Sequence, residues 1–300
     1  MHHRHHACED GATGTGTKKG APIKAELAQM ALVDGDLEHN LDKVLEAIGR
    51  ADVASGTQLI VFPETTLSGF PTRDNIATIA QPIDGQALGI VREAARRARV
   101  AIAVGLAERD GAEFYNTTVL IDATGDIALR YRKTHLWSSD AGVFTPGDRF
   151  EVCTWNGLTV GLLICYDIEF PETARALARL GAQLLIVTNG NMNPYGPVHQ
   201  RAIAARAMEN QVFALMTNRC GHGDLQRSFP GQSALVDPSG EFLAVAGAAE
   251  TQLAVQLDPS RVESSRRHYQ YLHEARIPLK LQAVGSPRGT MALLIELPGP

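Results

Sequence analysis

The chain has 300 residues, of which 44% are hydrophobic and 20% charged, so it is too apolar for an intrinsically disordered protein. Its 28 glycines and 15 prolines follow no repeat, which excludes a collagen-like chain. With 28 basic and 33 acidic residues the net charge is −5, which argues against nucleic acid or an anionic membrane as a partner.

The first 22 residues differ from the rest of the chain. They begin Met-His-His-Arg-His-His and continue through Cys8 into a stretch rich in Gly, Thr and Lys. Because they contain no apolar segment, they are not a signal peptide; they resemble an altered affinity tag with a linker, and we predict a disordered head. A native metal-binding tract with Cys8 as a ligand is the alternative.

Neither a membrane span nor a disulfide framework is expected. No apolar run reaches the roughly 18 residues that a transmembrane helix needs. Four cysteines are too few to form a disulfide framework in a chain of this length. We therefore predict a cytoplasmic protein with reduced thiols, in which Cys153 and Cys220 are small buried residues.

Hydrophobic spacing predicts alternating strands and helices over the remaining chain. Strands are predicted at 23–31, 58–62, 100–107, 117–121, 127–131, 158–164, 184–188, 212–217, 233–236, 242–246 and 251–257. Helices are predicted at 37–54, 83–99, 171–180 and 199–210. Turn sequences at 122–126 and 237–240 indicate hairpins. About a dozen strands are too many for one open sheet. We therefore predict an α/β fold with two stacked mixed sheets covered by helices.

Three predicted strands end at an ionisable residue: Glu64, Lys133 and Cys165. Ligand sites in layered α/β folds collect where strands end. Cys165 lies between a strand and a helix, which is the setting of a nucleophile elbow. Glu64 can act as a general base and Lys133 can stabilise an oxyanion. Each residue taken singly has a structural alternative. Cys165 can be a buried structural cysteine, Glu64 a hydrogen-bonded carboxylate in a loop, and Lys133 a solvated charge.

The sequence around these three residues resembles the nitrilase superfamily of carbon–nitrogen hydrolases, from about Ile23 to Leu279. The segments that carry the resemblance are Phe62-Pro63-Glu64, Tyr131–Leu136 and Ile164–Glu172, with further matches at Tyr115-Asn116, Phe144–Asp148 and Ala205–Asn210. The resemblance implies a four-layer αββα sandwich in a domain spanning 23–279, which leaves 280–300 as a C-terminal tail.

The resemblance also implies a Glu–Lys–Cys triad. Glu64 takes the proton of Cys165, the thiolate attacks an amide carbonyl, and Lys133 with the backbone N–H of Tyr166 holds the oxyanion. Ammonia leaves, and water activated by Glu64 hydrolyses the thioester. This chemistry uses no metal and no organic cofactor. Where many members carry a second glutamate after the lysine, this chain has Asp140, which acts on the site directly or through water.

The nucleophile segment resembles the amidase and carbamoylase branches rather than the true nitrilases. We rank an amidase for small linear amides above a carbamoylase of amino acids, because no arginine is clearly aimed at the pocket. Arg175, on the nucleophile helix, is predicted to pair with Glu172. Two further hypotheses are an acyltransferase of the same superfamily and a protein that binds a metabolite without turnover.

Four further residues are predicted to bind substrate, each with a structural alternative. Phe70 and Tyr115 form an apolar wall or pack in the core. Asn189 and Asn191 hydrogen-bond the substrate or belong to an ordinary turn. The predicted partners are a small amide and other copies of the chain, in a homodimer or a larger assembly. The segment Arg266–Leu272 is predicted to be an arm that packs on a neighbouring subunit.

Overall fold

The computed structural model describes residues 21–224 and 226–276 and the backbone of two strands at 282–285 and 291–294. The predicted head, with Cys8, lies outside these ranges except for its last two residues. The α-helices are α1 (Leu37–Arg50), α2 (Ile76–Ile79), α3 (Gln86–Ala98), α4 (Pro171–Arg179), α5 (Gly196–Asn210), α6 (Ser260–Ser265) and α7 (Tyr271–Glu274).

The strands lie in two large sheets and one short hairpin. They are β1 (Ile23–Gln29), β2 (Thr57–Val61), β3 (Ala101–Asp110), β4 (Glu113–Ile121), β5 (Ile127–Arg132), β6 (Arg149–Trp155), β7 (Leu158–Ile164), β8 (Leu184–Asn189), β9 (Phe213–Asn218), β10 (Cys220–His222), β11 (Ser228–Pro230), β12 (Ala234–Val236), β13 (Phe242–Val245), β14 (Thr251–Leu257), β15 (Gln282–Gly285) and β16 (Met291–Leu294).

Both large sheets are mixed, as the sequence predicts. The first has the order β14-β1-β2-β3-β4-β5, in which β1, β2 and β3 are parallel and the other neighbours antiparallel. The second has the order β13-β12-β9-β8-β7-β6-β16-β15, in which β7, β8 and β9 are parallel. Each sheet is thus built around three parallel strands, and antiparallel strands extend it on both sides.

Alternating side chains of the strands form the layers. In β2, Leu59 and Val61 join the core between the two sheets, whereas Ile60 packs on the other face with side chains of α1 and α3. On the far side, Leu177 of α4 and Ile203 of α5 cover the second sheet. The period of two along the strand therefore separates two apolar layers, and the predicted αββα sandwich is confirmed.

Some element bounds differ from the prediction. Helix α1 ends at Arg50, because Ala51 is extended with ψ 135°, and Val53–Ser55 forms a separate 3₁₀ turn. Helix α5 begins at Gly196, three residues before its predicted start, with a proline in its first turn, where the missing N–H costs nothing. Strand β6 was not predicted.

The segment 280–300, predicted as a tail, contains β15 and β16, and β16 pairs with β6 at the edge of the second sheet. The domain limits of 23 and 279 stay a prediction. Cys153 and Cys220 are buried free thiols, as predicted. None of the helices within the described ranges is long and apolar enough to cross a membrane.

A glycine in β3 lets the chain after β2 approach the first sheet closely. A Cβ built on Gly105 would lie 2.5 Å from the backbone nitrogen of Thr65 and 3.0 Å from the carbonyl oxygen of Pro63. The neighbouring Leu67 N–H donates to the Gly105 carbonyl over 3.1 Å. A residue without a side chain is therefore required directly beneath the segment that carries Glu64.

We expect Gly105→Ala to lower the free energy of unfolding by about 1–3 kcal/mol, because the new methyl group meets backbone atoms that cannot move aside. Urea titration followed by circular dichroism measures the change. The matched control is Gly49→Ala in α1, where a Cβ has nothing within 4 Å. It should raise stability by about 0.5–1 kcal/mol through helix propensity. A Gly105→Ala protein as stable as the wild type would contradict the steric argument.

Candidate active site

The ends of β2, β5 and β7 meet at one cavity of about 200 Å³. Glu64 lies three residues after β2, Lys133 follows β5, and Cys165 follows β7. All three side chains line the cavity. The two sheets thus bring together residues that are far apart in sequence, as the positions of the strand ends predict.

The Glu64 carboxylate is buried, with 1% of the residue exposed. Its Oε1 atom accepts hydrogen bonds from Lys133 Nζ at 2.7 Å and from Asn116 Nδ2 at 2.8 Å. Its Oε2 atom is buried and has no hydrogen-bond partner among the described residues. One oxygen is therefore fixed by the protein, and the other is left to take a proton from a neighbouring group.

The Lys133 ammonium lies between two carboxylates. Its Nζ atom is 2.7 Å from Glu64 Oε1 and 2.7 Å from Asp140 Oδ2, and only 2% of the residue is exposed. Burial by itself lowers the pKa of Lys133, but the charges of Asp140 and Glu64 outweigh it and hold that pKa well above its usual value. The site therefore keeps a fixed positive charge beside the cavity.

Asp140 contacts Lys133 directly, so the alternative of a water between them is wrong. The residue ends a short 3₁₀ turn, Ser138–Asp140, that brings it inward. Its Oδ2 atom also accepts the Trp137 backbone N–H at 3.3 Å. The turn thus brings the short aspartate side chain within hydrogen-bond distance of Lys133.

Cys165 is at the tip of a strained turn. Its φ of 46° lies in the left-handed region, which costs a non-glycine residue about 1–2 kcal/mol. Burial raises the pKa of its thiol well above the usual value, and the Glu64 carboxylate raises it further; the Lys133 charge and the Gly190 backbone N–H offset this only in part. The sulfur therefore carries its proton in the free protein.

A buried carboxylate, Asp167, fixes this turn to the end of β5. Its Oδ2 atom accepts from the Tyr131 hydroxyl at 2.9 Å and from the Ile164 N–H at 3.1 Å. Its Oδ1 atom accepts from the Thr134 hydroxyl and the His135 N–H, each at 2.9 Å. Burial and the Asp167 charge raise the pKa of Tyr131 well above its usual value, so its hydroxyl remains a donor. Four hydrogen bonds to one carboxylate therefore tie the turn to the end of the strand.

The cavity includes three of the residues predicted to bind substrate or the oxyanion, namely Phe70, Tyr166 and Asn191. Tyr115 and Asn189 are not among the lining residues. The centre of the Tyr115 ring lies 3.6 Å from the Arg132 guanidinium. Asn116, the next residue of β4, reaches Glu64, so Tyr115 lies on the opposite side of the strand. Asn189 is fully buried at the end of β8, and its carbonyl accepts the Glu64 N–H.

Phe70 is fixed in the cavity wall by residues that do not line the cavity themselves. Its backbone N–H donates to Asp34 Oδ1, which also accepts from Arg219 Nη1 at 2.6 Å. Burial disfavours the ionised form of Asp34, but Arg219 and the backbone donors hold the pKa of that carboxyl below its usual value. The Phe229 ring stacks on Phe70 at 6.0 Å. A buried ion pair and an aromatic stack thus fix this wall.

Four cavity residues on other elements were not predicted from the sequence: Trp137, Glu169, Val198 and His199. Their positions depend on how a loop, a turn and the start of α5 pack together, which hydrophobic spacing does not reveal. His199 shows no local sign of a functional role, yet its Nε2 atom lies 3.1 Å from Glu169 Oε1. The position of Glu169, four residues after the predicted nucleophile, was the one available signal.

The side chain of Arg175 has a partner other than the predicted one. Arg175 does not form the predicted ion pair with Glu172; its Nη2 atom donates to the carbonyl of Glu209 on α5 over 2.8 Å, because the side chain extends toward the adjacent helix. Within the described ranges, no group of three or more His, Cys, Asp or Glu side chains is arranged to hold a metal ion.

Residues 24–267 match the carbon–nitrogen hydrolase family. An (R)-stereoselective amidase of a Pseudomonas species is 50% identical to this chain, over 91% of this chain and 98% of its own length. A nitrilase of Pyrococcus abyssi is 34% identical, over 81% of this chain and 93% of its own length.

A solved structure shows the same fold. An amidase from a Nesterenkonia species is 30% identical and superposes with a TM-score of 0.77, covering 86% of this chain and 95% of its own. A glutamate-to-glutamine variant of that amidase shows covalent addition of the acetamide moiety of fluoroacetamide at its active-site cysteine.

Methyl methanethiosulfonate is a small neutral reagent that modifies thiols. We expect its rate of reaction with Cys165, plotted against pH, to have an inflection above the pKa of a free cysteine, which is about 8.5. Glu64→Gln should lower the inflection, because it removes a charge that raises the pKa of the thiol. Mass spectrometry of the Cys165 peptide measures the rate at each pH. Glu172→Gln, an exposed control outside the cavity, should leave the inflection unchanged. A wild-type inflection below that of free cysteine would contradict the assignment.

Proposed function

The chain belongs to the carbon–nitrogen hydrolase family, within the nitrilase superfamily, and we propose that it is an amidase that uses Cys165 as its nucleophile. Its products are ammonia and a carboxylic acid. The observation that carries the proposal is the convergence at one cavity of a thiol, a buried ammonium, and a carboxylate of which one oxygen has no partner in the described part of the chain. These are the groups that acyl transfer to a thiol requires.

In the first half of the reaction, the sulfur of Cys165 attacks the amide carbonyl as Glu64 takes the thiol proton. The raised pKa of the thiol supports this timing, because the proton leaves only when a base accepts it. The carbonyl oxygen becomes an oxyanion, which Lys133 and the backbone N–H of Tyr166 stabilise. The C–N bond then breaks, and Glu64 returns the proton to the leaving ammonia.

In the second half, water replaces ammonia beside the thioester. Glu64 takes one proton from this water, and the resulting hydroxide attacks the thioester carbonyl. The C–S bond breaks, the acid leaves, and the proton returns to the sulfur. Support for one base in both steps comes from the fixed orientation of Glu64, whose other oxygen is tied to Lys133 and Asn116. Each covalent step is easier than direct attack of water on the amide.

The size of the cavity favours a small substrate. About 200 Å³ is below the 300–1,000 Å³ typical of sites for drug-sized ligands. The described lining residues include no arginine that would pair with the carboxylate of a carbamoyl amino acid. We therefore place a small linear amide ahead of a carbamoyl compound. By analogy with the Pseudomonas amidase, we also propose that one enantiomer of a chiral amide is preferred.

We expect the wild-type protein to release ammonia from a panel of small primary amides, and a 2-substituted amide supplied as separate enantiomers to react at unequal rates. Cys165→Ala should reduce kcat/KM by more than about a thousandfold, because it removes the nucleophile. A coupled ammonia assay measures both proteins. Cys153→Ala, which removes another buried free thiol outside the cavity, is the matched control and should retain activity. The hydrolase proposal fails if the wild type releases no ammonia from amides, carbamoyl compounds or nitriles.

We also propose that the chain forms a homodimer or a larger assembly, and that it is cytoplasmic. Support for a second copy as partner comes from exposed apolar side chains near the chain's C-terminal arm. Tyr269 is 62% exposed and its ring stacks on Tyr271. Gln211 anchors the arm to its own subunit through its side-chain amide, which donates to the carbonyls of Ser265 and Tyr269. The aromatic rings are thus displayed outward on a fixed backbone.

We expect light scattering at micromolar concentration to give a mass of at least two chains. Tyr269→Glu should shift this mass towards one chain, because it puts a charge into the apolar contact. Ile90→Glu alters an exposed apolar residue on α3, in the opposite outer layer, and should leave the mass unchanged. A wild-type mass of a single chain would refute the assembly.

A further inference from the structure

The cavity contains a carboxylate that the proposed mechanism does not use. Glu169 ends the 3₁₀ turn that begins with Cys165, and its side chain is 30% exposed where it lines the cavity. In contrast, the Glu64 and Asp140 side chains are almost fully buried against Lys133. Glu169 thus presents negative charge to the space that a substrate enters.

The partner of Glu169 does not cancel its charge. His199 Nε2 lies 3.1 Å from Glu169 Oε1, and His199 Nδ1 is buried without a partner among the described residues. A doubly protonated ring would bury an unpaired N–H at Nδ1, which is costly. The arrangement that avoids this cost has a single ring proton on Nε2, donated to the carboxylate. His199 therefore orients the Glu169 carboxylate.

The lining residues carry an excess of negative charge. Of the described residues around the cavity, three are carboxylates and one, Lys133, is a cation. The Lys133 charge is already shared between Glu64 and Asp140. A neutral ligand that covered Glu169 would displace the water that hydrates its carboxylate and would offer no charge in return. A cationic ligand would compensate for the lost hydration by pairing with the carboxylate.

Two aromatic side chains of the same cavity suit a cation as well. Trp137 and Tyr195 both line the cavity, and their rings meet edge to face at 6.2 Å. Aromatic faces attract an ammonium group through their quadrupole, by about 0.5–2 kcal/mol according to its exposure. A carboxylate with aromatic walls is thus a combination that recognises amines.

We propose that Glu169 binds a protonated amine carried by the substrate, so that the site selects primary amides with an ammonium group close to the scissile carbonyl. This substrate class rests on the amidase function proposed above. The cavity of about 200 Å³ requires amine and amide to belong to one small molecule. The same charge repels a substrate that carries a carboxylate, which counts further against carbamoyl amino acids.

Two amides of nearly equal shape test the proposal. 2-Aminopropanamide carries an ammonium group at the position where 2-methylpropanamide carries a methyl group. An α-amine has a pKa near 7.7–8.0, so the first is mostly a cation at about pH 7. We expect the ratio of kcat/KM, cationic over neutral, to exceed ten for the wild type. Glu169→Gln should lower this ratio at least about tenfold, since a charge-assisted hydrogen bond becomes a neutral one.

Glu172→Gln is the matched control, because it removes an exposed carboxylate three residues away that does not line the cavity. It should leave the ratio unchanged. A wild-type ratio near one, or a Glu169→Gln variant that slows both amides equally, overturns the proposal while the amidase function stands.

Calorimetry with the Cys165→Ala variant separates binding from turnover. We expect it to bind 2-aminopropanamide more tightly than 2-methylpropanamide, and the double variant with Glu169→Gln to lose this difference. If the wild type hydrolyses neither amide, the amidase proposal is in doubt, and the binding data alone decide the role of Glu169. Equal binding of both amides to the Cys165→Ala variant overturns that role.

Discussion

The site depends on one buried ammonium group, that of Lys133. Removing such a charge from water costs several kcal/mol, and only close carboxylates with good geometry repay that cost. Glu64 and Asp140 do so at 2.7 Å each, from a segment after β2 and from a turn after β5. The loops at this end of the first sheet are therefore arranged around one charge. The loss of either carboxylate leaves a partly uncompensated ammonium and also frees the loop that carried it.

The second sheet is joined to this arrangement through the turn of Cys165. A positive φ at a cysteine persists only where the surroundings enforce it. Asp167 supplies that constraint, since it ties the Ile164 N–H of β7 to Tyr131 and to the segment that carries Lys133. From the other side, Arg206 of α5 donates to the Ile168 carbonyl at 2.8 Å. The nucleophile is thus held relative to the ammonium by hydrogen bonds that cross from one sheet to the other.

The number of strands made two stacked sheets predictable from the sequence, and the strand ends marked Glu64, Lys133 and Cys165 as candidates. Their union in one triad was implied by the family resemblance and not by the local pattern. In the structure, alternation along β2 places Leu59 and Ile60 in different layers, and the strand ends bring Glu64, Lys133 and Cys165 to one cavity. The direction of a side chain was harder to predict. Tyr115 does not line the cavity, because Asn116, its neighbour in β4, faces Glu64 and Tyr115 therefore faces the opposite side of the strand. Residues such as His199 could not be found, since their contacts depend on the packing of α5 on a turn.

The arrangement of charges also explains how buried groups can carry out the proposed chemistry. In the proposed mechanism Glu64 takes the thiol proton, and its negative charge passes to sulfur and then to the carbonyl oxygen of the amide, so the total charge around Lys133 stays constant. Before substrate binds, burial and the Glu64 charge raise the pKa of the Cys165 thiol and so disfavour a free thiolate. Asp140 takes no part in this transfer, and it holds Lys133 in place while the charge beside it moves from one atom to the next. The protein therefore needs to stabilise a displacement of charge and not the appearance of a new one, and preorganised groups do this at little cost.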